Sequence, residues 1–252
     1  MTNCELPFAG HPTIGAAWLL ANKRLSNKEL PKNEKTTIIT KAGAIPYTFD
    51  AKLAVAFIHV PHDAHVHKHQ LSNEEAAEAG ISAPVAQKIL GPLSVVSIVK
   101  GMTFAMIELP SNDVLSTASG SVVPSKLSGS LDRPWFEGAL LGTWYFVDNR
   151  QTENGAVRIS SRMMMHGGTL QDPATGSAAS AFSAYWAKRV WANRQEDDSD
   201  DFVTSFDIEQ GVDMGRPSSI QTKVVLDAKT SDVKRVVLGG SAVQVMEGFI
   251  EV

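Results

Sequence analysis

Two stretches of small residues that end in bulky apolar side chains stand out along the chain. Residues 7 to 21 read PFAGHPTIGAAWLLA and residues 173 to 187 read PATGSAASAFSAYWA. Each has a proline, a glycine three residues later, a polar residue, and then a run whose small side chains suit a helix enclosed closely by other elements. Pro7 and Pro173, Gly10 and Gly176, His11 and Ser177, and Ala21 and Ala187 pair at a single offset, the signature of a diverged internal repeat. The stretches downstream of the two helices match as well. Thr36 to Thr40, Gly43, and Ile45 to Phe49 come after the first; Phe202 to Ile208, Gly211, and Ser219 to Leu226 come after the second. β-branched and aromatic enrichment predicts these as strands, with further strands at Leu53 to Val60, Val95 to Val99, Phe104 to Leu109, Thr143 to Asp148 and Val157 to Met165. Ser72 and Asn73 suit the start of a short helix through Glu74 to Ala79. Ser116 to Ser130 has no period and reads as a loop, and the acidic run Asn193 to Asp201 as a solvated connection.

Composition narrows the function classes. A formal charge of −4 offers no basic field for a phosphate backbone, so nucleic acid is not an expected partner. The single cysteine, Cys4, excludes a disulfide framework, a CxxC metal site and a two-thiol racemase; it reads as a small apolar residue. No apolar run is long enough to span a membrane and Met1 to Glu5 do not resemble a secretory signal, so the expected location is cytoplasmic.

The repeated motif is the candidate site. A helix N-terminus carries unpaired N–H groups and a partial positive charge, and a glycine there lets a ligand approach the backbone. Two such ends facing one cleft would grip a small anion from both sides, with His11 and Asp172 with Ser177 at the two mouths to move a proton or steady a carbanion. The bland alternative is two ordinary capped helices, with Asp172 bonding nearby N–H groups and His11 packing. Five histidines, His59, His62, His65, His67 and His69, sit in HVPHDAHVHKH with Asp63; their spacing permits opportunistic zinc or nickel binding, but an exposed loop without function is the favoured reading. Met163 to Met165 read as core, and the HGG at 166 to 168 lacks the GxSxG that a serine hydrolase needs.

ELPFAGHPTIGAA, DPATGSA, QGVDMGRPSSI (210 to 220) and LGGSAVQVMEG (238 to 248) together resemble the PhzF-type (phenazine biosynthesis-like) isomerase/epimerase family over essentially the whole chain, in wording closest to fungal members. The resemblance implies an α+β, diaminopimelate epimerase-like fold of two pseudo-symmetric domains, each a highly twisted sheet wrapped around a central helix. The expected halves are 1–108, completed by a final strand in 242–252, and 109–241. It also implies catalysis without metal or organic cofactor on a small anionic metabolite, and a homodimer. Carried over, the family's site positions fall on Gly10, His11, Asp172, Gly176 and Ser177. His11, Asp172 and Ser177 are then the expected catalytic group, and Gly10, Thr13, Gly176 and Ser177 the expected substrate-binding group.

The family's acid/base glutamate belongs to an N-x-S-E-T-type motif upstream of GHPT. No such motif occurs here, Glu5 does not replace it, and Gln171 stands where an acidic residue usually precedes DPATG. Two readings are open: a shortened form of a proton-transferring isomerase, or a degenerate paralogue that is a catalytically silent binding or scaffold protein. A missing strand would leave the first half's sheet open at an edge.

Overall fold

A computed structural model describes residues 6–26, 36–127, 129–136, 140–151, 155–194 and 199–248. Cys4, Glu5, residues 195–198 of the acidic run and residues 249–252 lie outside it. The fold is α+β. Two long helices, α1 (Gly10–Ser26) and α5 (Gly176–Ala192), lie against one 12-stranded twisted sheet. Among the described residues no helix is long and apolar enough to cross a membrane.

The repeat is visible as architecture. After α1 come β1 (Thr36–Thr40), β2 (Gly43–Asp50) and β3 (Val55–His59); after α5 come β10 (Asp201–Gln210), β11 (Ser218–Asp227) and β12 (Val233–Gly240). Each set is a meander of antiparallel neighbours. The two third strands then pair with each other, antiparallel, from Val237 opposite His59 to Gly240 opposite Ala56. The order β1-β2-β3-β12-β11-β10 is therefore symmetric about the β3–β12 seam.

The second half carries more. Between the two units the chain forms β4 (His65–Val66), α2 (Asn73–Glu78), α3 (Ala83–Ala86), β5 (Ser94–Val99), β6 (Met102–Glu108), α4 (Asn112–Thr117), β7 (Leu140–Gln151), β8 (Val157–Met165) and β9 (Leu170–Asp172). Strand β8 joins β10 in parallel, so β8, β7, β6, β5 and β4 extend the sheet on the α5 side, while at the other end the described sheet stops at β1. Residues 94–108, grouped by the sequence with the first half (1–108), form β5 and β6 and pack on α5. The strand seen to return to the first half is β12, where the sequence suggests one in 242–252; residues 241–248 carry no strand, and 249–252 lie outside the described residues. The hydrophobic pattern explains the β12 pairing. VKRVVL supplies the β-branched alternation, and the absence of a side chain at Gly239 lets the strand lie on β3, since a Cβ there would strike the Phe57 ring at 2.5 Å.

The small residues do what the sequence reading requires of them. Ala178, Ala179, Ala181 and Ala187 let strands close over α5, and Phe182 fills the centre, its ring centroid 4.7 Å from Phe146, 5.5 Å from Trp186 and 5.9 Å from Phe206. Ser180 and Ser183 are tolerated there because their hydroxyls donate to the Gly176 and Ala179 carbonyls at 2.7 and 2.8 Å. Met163 and Met164 are buried, as core. A second apolar cluster lies under α2, α3 and α4 on the other face of β5, β6 and β7. Ser72 caps α2 in a full capping box with Glu75.

Candidate functional site

The two glycine-initiated helices meet. A Cβ placed on Gly10 would lie 2.9 Å from Gly176 Cα, and one placed on Gly176 would lie 2.7 Å from Leu238 Cδ2 and 3.2 Å from Gly10 Cα. No side chain fits at either position, which is why both must be glycine. Above this contact opens a cleft of about 620 Å³, roomy enough for a small metabolite. Its walls come from the start of α1 (His11, Pro12, Ile14, Gly15), the start of α5 (Ala174, Gly176), the 216–220 segment and the 238–243 segment.

The positive ends of both helices are left uncompensated by their own first turns, which hold no acidic residue; Thr175, the residue before α5, makes no side-chain capping bond. No Asp or Glu lines the cleft among the described residues. Its polar side chains are His11, which is exposed, Arg216 and the hydroxyls of Ser218, Ser219 and Ser241.

The sequence-derived residues divide into two groups. His11, Gly10 and Gly176 converge on the cleft or its floor. Asp172, Thr13 and Ser177 do not line it. The Asp172 carboxylate accepts from the Thr175 hydroxyl at 2.7 Å and from the Ala174 N–H at 3.4 Å, so it shapes the turn into α5. The Thr13 hydroxyl donates to the Ala9 carbonyl at 2.7 Å and points back along α1. Ser177 is buried at the second position of α5, where its backbone N–H is one of the helix's unpaired donors.

Three contributors escaped the sequence reading. Gln210, fully buried at the end of β10, accepts from the Thr175 N–H at 3.0 Å and donates to the Asp172 carbonyl at 2.7 Å and the Thr175 hydroxyl oxygen at 3.0 Å. An amide NH₂ can only donate, so the Thr175 hydroxyl must give its proton to Asp172, and the direction of the chain of bonds is fixed. Arg216 and the Gly239–Gly240–Ser241 edge complete the cleft. The signal was present: GRPSSI and LGGSA lie in the segments that carry the family resemblance, but neither holds an obvious acid, base or nucleophile.

Two of the five clustered histidines, His65 and His67, form a fastening, while His59 is exposed. His67 is only 2% exposed: its Nδ1 accepts from the Asp132 N–H at 3.0 Å, leaving Nε2–H to donate to the Ser97 hydroxyl at 2.9 Å. His65 Nε2 donates to Asp132 Oδ2 at 2.9 Å and stacks on Trp135 with centroids 3.9 Å apart. The ligand atoms of His65, His67 and Asp132 lie within 4.8 Å of one another, yet both nitrogens of His67 are already engaged, and one lone pair faces an amide proton. Burial, with help from the neighbouring His65, pushes the His67 imidazole down to about 4. The arrangement ties β4 to the loop before β7.

A model of the phenazine biosynthesis-like protein family matches residues 2–248. An uncharacterized isomerase of Mesorhizobium japonicum is 27% identical over 97% of this chain and 76% of its own length. Among solved structures, a PhzF-family phenazine biosynthesis protein of Bacillus anthracis superposes with a TM-score of 0.66 at 20% identity, over 98% of this chain and 77% of the other. A predicted epimerase of Pseudomonas aeruginosa gives 0.59 at 24%, over 96% and 76%. Because that family model spans residues 2–248, nearly the whole chain, the chain belongs to the PhzF-type, phenazine biosynthesis-like family.

Proposed function

We propose that the protein is an isomerase that moves a proton between carbons of a small carboxylate-bearing metabolite, without a cofactor, in the cleft where α1 and α5 begin. The observation that carries this reading is the Gly10–Gly176 contact, which brings two positive helix ends to one cavity that also holds His11 and no carboxylate side chain among the described residues. His11 takes a proton from a carbon made acidic by conjugation to the ligand's unsaturated or carboxylate group. Negative charge then spreads over the ligand, next to two helix ends worth roughly half a unit charge each. The imidazolium returns the proton at another carbon. One base suffices when removal and return use the same face. This favours isomerisation, because inversion of a centre needs a second group on the opposite face. Asp172, through Thr175, and the Gly176–Ser177 amides serve this site as its frame: they fix the start of α5 and offer N–H groups to the anion.

The test is deuterium uptake from D₂O into candidate hydroxylated or unsaturated amino acids, followed by NMR. Incorporation is expected, and His11→Asn is expected to reduce it by about 10²–10⁴-fold. A second reading, a silent binding protein, is favoured by the same shortage of a second titratable acid–base group lining the cleft among the described residues. It replaces the first if compounds that bind in the cleft exchange no hydrogen.

A further inference from the structure

Within the cleft, one cation lacks an explanation. Arg216 is exposed on the cleft wall, and among the described residues no ion pair or side-chain hydrogen bond engages its guanidinium. Arg162, Arg189 and Arg150, by contrast, pair with Asp213, Glu108 and Asp148.

The loop that presents Arg216 is closely specified. Gly211 and Gly215 both adopt left-handed backbone, φ 79° and 69°, bracketing a single 3-10 turn at Val212–Met214. A Cβ on Gly211 would lie 2.7 Å from the Arg216 carbonyl oxygen and 3.0 Å from that of Pro173, so the loop is pressed against the turn into α5. The Arg216 N–H donates to the Gly211 carbonyl at 3.3 Å, and Pro217 restricts the residue before it. The backbone of Arg216 is thus held in fixed relation to the start of α5, on the same cavity as His11.

We infer that Arg216 is the specificity-determining residue that selects a carboxylate on the ligand, by a two-point pair between its planar guanidinium and the two carboxylate oxygens. This rests on the cleft being the ligand site. Charge supports it: the full charge of Arg216 and about half a charge at each helix end serve a cleft that no Asp or Glu lines among the described residues, while the Asp213 carboxylate is paired with Arg162 and the Asp172 oxygens are held in the turn. About one unit of positive charge is left to be matched, which one carboxylate does. A guanidinium fork matches that planar group better than an ammonium would.

The experiment is titration of the full chain with benzoate and with its neutral isostere benzamide, followed calorimetrically or by NMR shifts. Wild type is expected to favour benzoate by about tenfold or more, and Arg216→Gln to lose that preference. Arg216→Lys should keep part of it, and Arg235→Gln, which makes the same change in net charge outside the cleft lining, should keep it all. If Arg216→Gln is poorly folded by circular dichroism, the lysine variant carries the test, and unchanged discrimination in it overturns the two-point pair. Equal benzoate affinity in wild type and Arg216→Gln overturns the role of Arg216 and leaves the cleft with the helix ends as the anion holders. Failure of wild type to bind benzoate with any preference overturns both.

Discussion

The two halves of the repeat are built from the same unit yet are enclosed differently. Eleven of the seventeen residues of α5 are buried, and it packs on strands from both sides, β5 and β6 as well as β10, β11 and β12. Among the described residues, helix α1 packs mainly on β2, β3 and β12 and meets α5; Gly10, Thr13, Ile14, Ala17 and Ala21 are buried, while Trp18 and Leu19 are half-buried and Leu20 is 41% exposed. In the first half, Ile39 on β1, the last strand of the described sheet, is 78% exposed. Stability in such a molecule is concentrated around α5, whereas the cleft needs both helices in register. The lesson is that a site can be symmetric while the scaffold holding it is not.

This contrast can be broken at its strongest point first. Phe182→Ala removes the ring at the centre of the α5 cluster and should cost about 3–5 kcal/mol, read by chemical denaturation. A loss under about 1 kcal/mol would mean that α5 is not the anchor. Gly176→Ala comes next. Its methyl would collide with Leu238 and with the backbone of Gly10, for an expected loss of about 1–3 kcal/mol. More telling than the stability loss, carboxylate binding in the cleft should weaken as the helix ends are wedged apart. Unchanged stability and binding would show that the contact does not hold the halves in register.

A smaller effect comes from the His65–His67–Asp132 fastening in the second half. Because the folded state holds His67 neutral, with its proton affinity depressed to about 4, the unfolded chain takes up a proton first as pH falls. The stability this residue contributes is complete above about pH 6.5 and is lost progressively down to about pH 4. His67→Ala should lower Tm at neutral pH and flatten its slope across that window; an unaltered slope would refute the assignment. The smallest effect belongs to the other half: Leu20→Ala, at a side chain 41% exposed, should change stability by about 0.5 kcal/mol or less. A larger loss there would mean that another surface covers this face of α1.

What the sequence determined by itself is the local code. The Pro-x-x-Gly spacing, small-residue helices and β-rich runs are short-range features, and they located both helices, most strands, the helix start at Ser72 and the two glycines that meet. Strand ends drifted by a few residues. The run expected from Leu53 begins at Val55, because Asp50 accepts from Lys52 and Leu53 N–H groups and makes residues 51–54 a turn. Pairing partners are a long-range matter. Nothing in VKRVVLGG says that it crosses to β3, or that β5 and β6 serve α5. Those choices depend on which faces can be buried together, as does the enclosure of His67 within a stretch that reads as polar. The division of roles at the cleft has the same origin. Asp172, chosen for its chemistry, is held in a turn by Thr175 at its carboxylate and by Gln210, 38 residues away, at its backbone carbonyl, while Arg216, in a loop with no reactive signature, is delivered to the cavity by two left-handed glycines. Side-chain chemistry is a property of one residue, but access to a ligand is decided by the surfaces that fold around it.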